Sequence, residues 1–344
     1  MEFFELLQYD YVYRALIASS LVGVMCGILG CFIVLRNMSL IGDALSHAIL
    51  PGVVVGFIIA GHNFFAFFIG AVIAGFIAAV LITWIQRNIK TKEDAAIGIV
   101  FTFMFALGVM GISWLTRQEG VHLDLKDFLF GNILGISNLD LVLTSMITLF
   151  VILCVLIFYR FFFVSTFQPI VARTMGVPTA VIHYFLMLLL SFAVVASLQS
   201  VGVILVVAML IIPASAAQLL THKLYKMILV SAMLGFLSAV IGLLSAIYLS
   251  TTPGPAMTVC ASAFYAMAVV FSPSKGLLFR YLNKRKIRHQ IMKEDVLKAM
   301  VRLHEDSDMT RPSLQARLDM SGFVLNNILR ELEQANYIRQ TKNE

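Results

Sequence analysis

Apolar residues gather into about nine long runs along this chain, over 15–35, 39–60, 64–85, 95–115, 139–159, 179–200, 202–221, 227–249 and 255–272. Each run can carry a helix across a hydrocarbon core about 30 Å thick. The pattern predicts an all-α polytopic membrane protein. Ahead of the first run, MEFFELLQYDYVYRAL mixes aromatic and acidic residues and reads as an interfacial helix, with Tyr11 and Tyr13 at headgroup level. Beyond Ser272 the period changes. Val296, Leu297, Met300 and Val301 mark one amphipathic helix, Leu314 and Leu318 a short second, and Leu325, Ile328, Leu329 and Leu332 a third, followed by a strand-like NYIRQ. With a turn at Ser321–Gly322, this order predicts a small cytoplasmic winged-helix-like domain. The expected division is a membrane domain over 1–275, a basic linker over 276–289 and the small domain over 290–344.

The second run is unusual because SLIGDALSHAILPGVVVG, Ser39 to Gly56, keeps Asp43 and His47 inside it. A charged group in hydrocarbon costs about 2.5 kcal/mol or more unless it meets a partner or a water-filled path. On a helix the two residues share a face, with Ser39 and Ser46 near the same stripe, so one polar edge is expected. Pro51 follows His47 by four residues, has no N–H to offer its carbonyl and crowds it. A bend is expected there, with a freed backbone oxygen beside the two side chains. Gly52 and Gly56 are spaced to admit another helix closely. Oxygen and nitrogen ligands at a broken intramembrane helix suit a cation pathway. The alternative is a buried Asp–His pair that only joins helices.

Composition agrees with a membrane protein: 344 residues, 60% hydrophobic, 13% charged, with a mean hydropathy of +0.92. The net charge of +6 is a topology signal. One alternating set of connections holds Arg36, Arg87, Lys90, Lys92, Arg160, Arg173, Lys223, Lys226 and the six basic residues from Lys275 to Arg288; the opposite set holds Arg14, Arg117 and Lys126. Positive-inside bias then puts the N-terminus outside and the C-terminus in the cytoplasm. Cys26, Cys31, Cys154 and Cys260 form no CxxC pair, so neither a disulfide framework nor a thiolate site is indicated. The outer connection holds Glu119, His122, Asp124 and Asp127, which could hold a cation before entry or be an ordinary solvated loop. In the inner connection PIVARTMGVP, Pro169 can start a short helix and Gly176 end it, giving a surface for a soluble partner. Pro213 is expected to kink a packing helix rich in small residues, and His62, His183 and His222 to be wet imidazoles at span ends. Residues 290–344 hold eight Lys/Arg and nine Asp/Glu, so nucleic acid is not expected as a partner.

SLIGDALSHAILPGVVVGF, the LFGNIL run, ARTMG and VGVILVVAMLIIPASAAQLL, in this order within residues 5–275, resemble the permease subunit of the zinc, manganese and iron branch of bacterial ABC importers. The resemblance implies a permease dimer, or a pairing with a paralogue, in a bacterial inner (plasma) membrane. It also implies a cytoplasmic ATP-binding subunit dimer and an extracytoplasmic metal-binding protein that delivers the ion. It places the metal ligands at Asp43 and His47 and the ATPase-docking segment at Ala172 to Gly176, which includes Arg173. Many members carry Asp where this chain has Asn132, and the C-terminal module exceeds the usual permease length. The module resembles the DNA-binding part of metal-responsive repressors.

The expected function is therefore import of manganese foremost, with zinc or iron(II) close behind, the ion being cargo and no cofactor being intrinsic. No GxxxxGK[ST] occurs, so the chain is not its own P-loop ATPase, and no HExxH or GxSxG suggests an intramembrane enzyme. Two rival readings use the same residues: an ion-gradient-coupled cation carrier built on the Asp–His pair, and a membrane-tethered metal-responsive regulator built on the tail.

Overall fold

The computed structural model describes residues 9–61, 63–89, 91–117, 133–272, 276, 279, 290–301, 314–315, 318, 321–335 and 337–338. His62, the acidic and histidine residues of the outer connection, Asn132, most of the linker and most of 336–340 lie outside them. Every regular element described is helical. The chain divides into two compact units, Met1–Val270 and Phe271–Glu344.

The first unit runs α1 (Asp10–Leu35), α2 (Ile41–Ala48), α3 (Leu50–Ala60), α4 (Phe64–Asn88), α5 (Glu93–Leu115), a single 3-10 turn (Ile133–Gly135), α6 (Asn138–Phe167), α7 (Pro169–Thr174), α8 (Thr179–Val201), α9 (Val203–Leu220), α10 (Leu224–Tyr248) and α11 (Pro253–Phe271). Counting α2 with α3 as one passage, nine helices among the described residues are long and apolar enough to cross a membrane. Tyr11 and Tyr13 are not on a separate interfacial helix. They lie in the first turns of α1, exposed, because the apolar periodicity continues back through Asp10 without a breaker.

Side-chain size decides which helix is central. Small residues along α1 let neighbours approach: Gly23 packs on Gly235 of α10, and Gly30 on the Leu210 carbonyl of α9. The apolar window of α1 is 83% buried, against 17% for α11 at the periphery. α9 runs unbroken through Pro213, so the expected kink does not interrupt the helix. Its Ala214, Ala216 and Ala217 are buried, and Ala214 reaches the backbone at Gly30. α6 starts at a capping box, in which the Ser137 hydroxyl accepts from Asp140 N–H and the Asp140 carboxylate accepts from Ser137 N–H.

The expected bend is a one-residue interruption of the helix, at which the backbone of Ile49 itself stays helical. α2 ends at Ala48 and α3 begins at Leu50, with Ile49 between them. The His47 carbonyl is not left bare, because the Ile49 N–H turns back onto it. α3 lies along α4 and α5, while α2 meets α5 and α9. The break thus lets one passage change neighbours half-way.

In the second unit, α12 covers 290–301 and α13 Gly322–Gln334. Val296, Ala299, Leu314, Leu325, Ile328 and Leu332 form its core, and Lys293 pairs with Glu331 at 2.6 Å across the two helices.

Candidate metal centre

Asp43 lies in the first turn of α2, where helix-terminal N–H groups favour a carboxylate, and His47 lies in the last. One turn apart, they bring His47 Nε2 to 3.7 Å from Asp43 Oδ1. The His47 side chain is 20% exposed and that of Asp43 50%, so the pair is open at the surface of this chain. Two rings of α5 hold the imidazole: Phe101 and Phe105 have centroids 5.4 and 5.5 Å from it, both edge-on. Ser46 does not join the polar edge. It is buried, and its hydroxyl donates back to the Gly42 carbonyl at 2.8 Å, the usual fate of an intrahelical serine in an apolar setting.

A carboxylate and an imidazole together suit a borderline cation such as Mn²⁺, Fe²⁺ or Zn²⁺ better than an all-oxygen or all-sulfur ion. Two ligands do not complete a sphere of four or more. Among the described residues no third His, Cys, Asp or Glu joins them. A groove of about 490 Å³ starts at Pro51 and runs between α3, α4 and α5, lined by residues such as Val55, Ile69 and Leu107. It offers a cation no ligand, so the chemistry stays with the pair and not with this groove.

Pro51 lies in the first turn of α3, just after Ile49, whereas Ala172, Arg173 and Gly176 are grouped elsewhere, on and just after α7. Ala172 is buried, on a short helix that meets α6 and α8. Arg173 Nε donates to Thr179 Oγ1 at 3.3 Å. Gly176 has φ +76°, a left-handed conformation open to glycine, and its N–H closes the turn on the Arg173 carbonyl. Around them Ile170 and Met175 are 77% and 68% exposed.

Residues 8–272 match the ABC 3 transport family. The chain belongs to that family. It is similar to the manganese transport system membrane protein MntC of Halalkalibacterium halodurans, 47% identical over 286 residues, which is 83% of this chain and 96% of the relative. MntC of Bacillus subtilis is 34% identical over 342 residues, 98% of this chain and 79% of that relative, so the similarity there extends through the tail. Among solved structures, PsaBC from Streptococcus pneumoniae in complex with Fab matches with a TM-score of 0.72 and 38% identity, over 83% of this chain and 99% of that one. This ABC 3 member is thus an all-α, multi-pass membrane permease.

Two features of the permease escape sequence reading. Phe101 and Phe105 have helical spacing, but Phe103 in the same run is lipid-like and 57% exposed, and nothing in the pattern tells the two kinds apart. His183 is not a wet imidazole at a span end; it is enclosed in a hydrogen-bonded network with Arg36 and Thr83.

Proposed function

We propose that this chain is the membrane permease of an ATP-driven importer of divalent transition metal ions, manganese foremost, with zinc and iron(II) suited to the same ligands. The observation that carries the reading is the open Asp43–His47 pair at a helix break, at least two ligands short of a full sphere. A second permease copy, related by a two-fold axis, supplies the matching pair and encloses the ion between two carboxylates and two imidazoles. A paralogue bearing the same two residues would serve equally. Relatives named for manganese transport support the choice of cargo.

The chain has no phosphate-binding loop of its own, so a separate cytoplasmic ATPase dimer drives the cycle. Ala172, Arg173 and Gly176 shape the surface it docks on, and an extracytoplasmic metal-binding protein presents the ion from the other side. The charge bias of the connections supports an outside N-terminus and a cytoplasmic C-terminus in a bacterial inner membrane.

The test is initial manganese uptake by cells carrying Asp43→Asn or His47→Gln, with permease abundance measured in the same membranes. Ligands supported only indirectly by a lost partner already cost 10- to 100-fold, so losing a ligand itself is expected to reduce uptake by about 100-fold or more. Normal uptake in both variants would remove the site.

A further inference from the structure

Arg36 follows the last residue of α1, and its guanidinium is shared between two other helices. Nε donates to Thr166 Oγ1 at 3.2 Å and Nη2 to Ser165 Oγ at 3.3 Å, both at the end of α6. Nη1 approaches His183 Nδ1 at 3.0 Å, in the second turn of α8. The stretch between those anchor points is residues 167–182, which contains α7. One side chain therefore holds both ends of the segment that docks the ATPase.

Proton bookkeeping fixes the direction of the network. A guanidinium has only donors, so Nδ1 of His183 must accept, and the ring is neutral with its proton on Nε2. That N–H faces Thr83 Oγ1 at 3.1 Å, and the Thr83 hydroxyl donates to the Ala79 carbonyl at 2.8 Å. Donation runs one way, from Arg36 through His183 and Thr83 into α4. Burial lowers the Arg36 pKa to about 10, still well above neutral, so the cation persists. Among the described residues no carboxylate neutralises it. A half-buried charge held by neutral acceptors is not the arrangement that packing alone would select, since apolar residues fill such a space at less cost.

α4 carries the signal onward. Its Gly70 lies against Gly52 of α3, one residue past Pro51 and the break that ends the Asp43–His47 helix. Resting on the function proposed above, we propose that Arg36 and His183 are positioning residues that clasp the two ends of the ATPase-docking segment to α4 and so transmit its movement to the metal-bearing helix break. Rigid helices joined by a hydrogen-bonded clasp are the kind of contiguous element through which two sites can bias one equilibrium.

The experiment uses the assembled permease–ATPase complex in proteoliposomes with its metal-binding protein, and reads manganese transported per ATP hydrolysed. Arg36→Gln removes the charge and the three-way reach, and Thr83→Val removes only the hydroxyl that receives His183. Arg36→Gln is expected to lower the ratio at least tenfold and Thr83→Val several-fold, with complex assembly and thermal stability of the Thr83 variant unchanged. Arg36→Lys, which keeps charge but cannot fork to three acceptors, is expected to fall between wild type and Arg36→Gln. A wild-type ratio in both Arg36→Gln and Thr83→Val overturns the clasp, as does a fall in transport and hydrolysis in equal proportion, which marks a structural role. Should Arg36→Gln not assemble, Thr83→Val alone decides. Asp43→Asn run alongside separates the two readings: lost transport there with normal ratios in the clasp variants overturns only the clasp, whereas normal transport there overturns the metal site itself.

Discussion

Gly52 on α3 and Gly70 on α4 meet backbone to backbone, and a β-carbon added to either would overlap the carbonyl oxygen of the other. The pair sets how close α3 and α4 lie just past the helix break, and through that where α2 presents Asp43 and His47. Gly52→Val is therefore expected to push the helices apart at a cost of about 1–3 kcal/mol, read as a lower melting temperature of the purified protein and reduced uptake. Gly98→Ala, on α5 with open space around the new methyl, is the control and is expected to leave both unchanged. Equal effects of the two substitutions would contradict the close-approach argument.

Ile170 and Met175 stand exposed on either side of the buried Ala172, the first on the six-residue helix α7 and the second just after it, between two membrane passages. A few side chains that become buried at an interface carry most of its energy. Ile170→Asp with Met175→Asp is expected to cost about 2 kcal/mol or more in binding the ATPase subunit, at least ~30-fold in affinity, without changing the fold of the permease. Co-purification measures it. Undiminished recovery of the ATPase subunit would show that α7 is not where it docks.

Much of this architecture is legible in the chain because the membrane simplifies the code. The nine apolar runs mark the passages to within a few residues, and where they miss, as at α6, the helix runs on past Tyr159 to Phe167 because Phe161, Phe162 and Phe163 keep it apolar beyond a single Arg160. Asp43 and His47 stand out because charge in an apolar run is costly, and Pro51 marks the break. What periodicity does not contain is the direction of each face. Ser46 shares the spacing of the polar edge yet turns inward to Gly42, and Arg36 and His183, separated by 147 positions, look like two ordinary span-end residues until the fold joins them. Long-range pairing of polar groups follows from packing, which no local pattern encodes.

The tail has a core of its own, and its two kinds of contact should differ in weight. Ile328 is 1% exposed within that core, so Ile328→Ala is expected to cost about 2–5 kcal/mol. Lys293 and Glu331 form a close pair, but both remain partly exposed, so Lys293→Ala is expected to cost only about 0.2–1 kcal/mol. Hydrogen exchange of the backbone amides of α12 and α13 in the full chain separates them: rapid exchange in the Ile328 variant and near-native protection in the Lys293 variant. The reverse order would mean that the ion pair, not the apolar cluster, holds the unit together.

Anomalous scattering at the manganese edge, from crystals of the assembled complex loaded with the ion, tests the metal site most directly. The predicted result is a peak about 2.0–2.3 Å from an Asp43 carboxylate oxygen and from a ring nitrogen of His47, with the same pair contributed by the second permease chain. A manganese peak elsewhere along the passage, with Asp43 and His47 turned away from it and satisfied by neighbouring helices, would contradict the assignment.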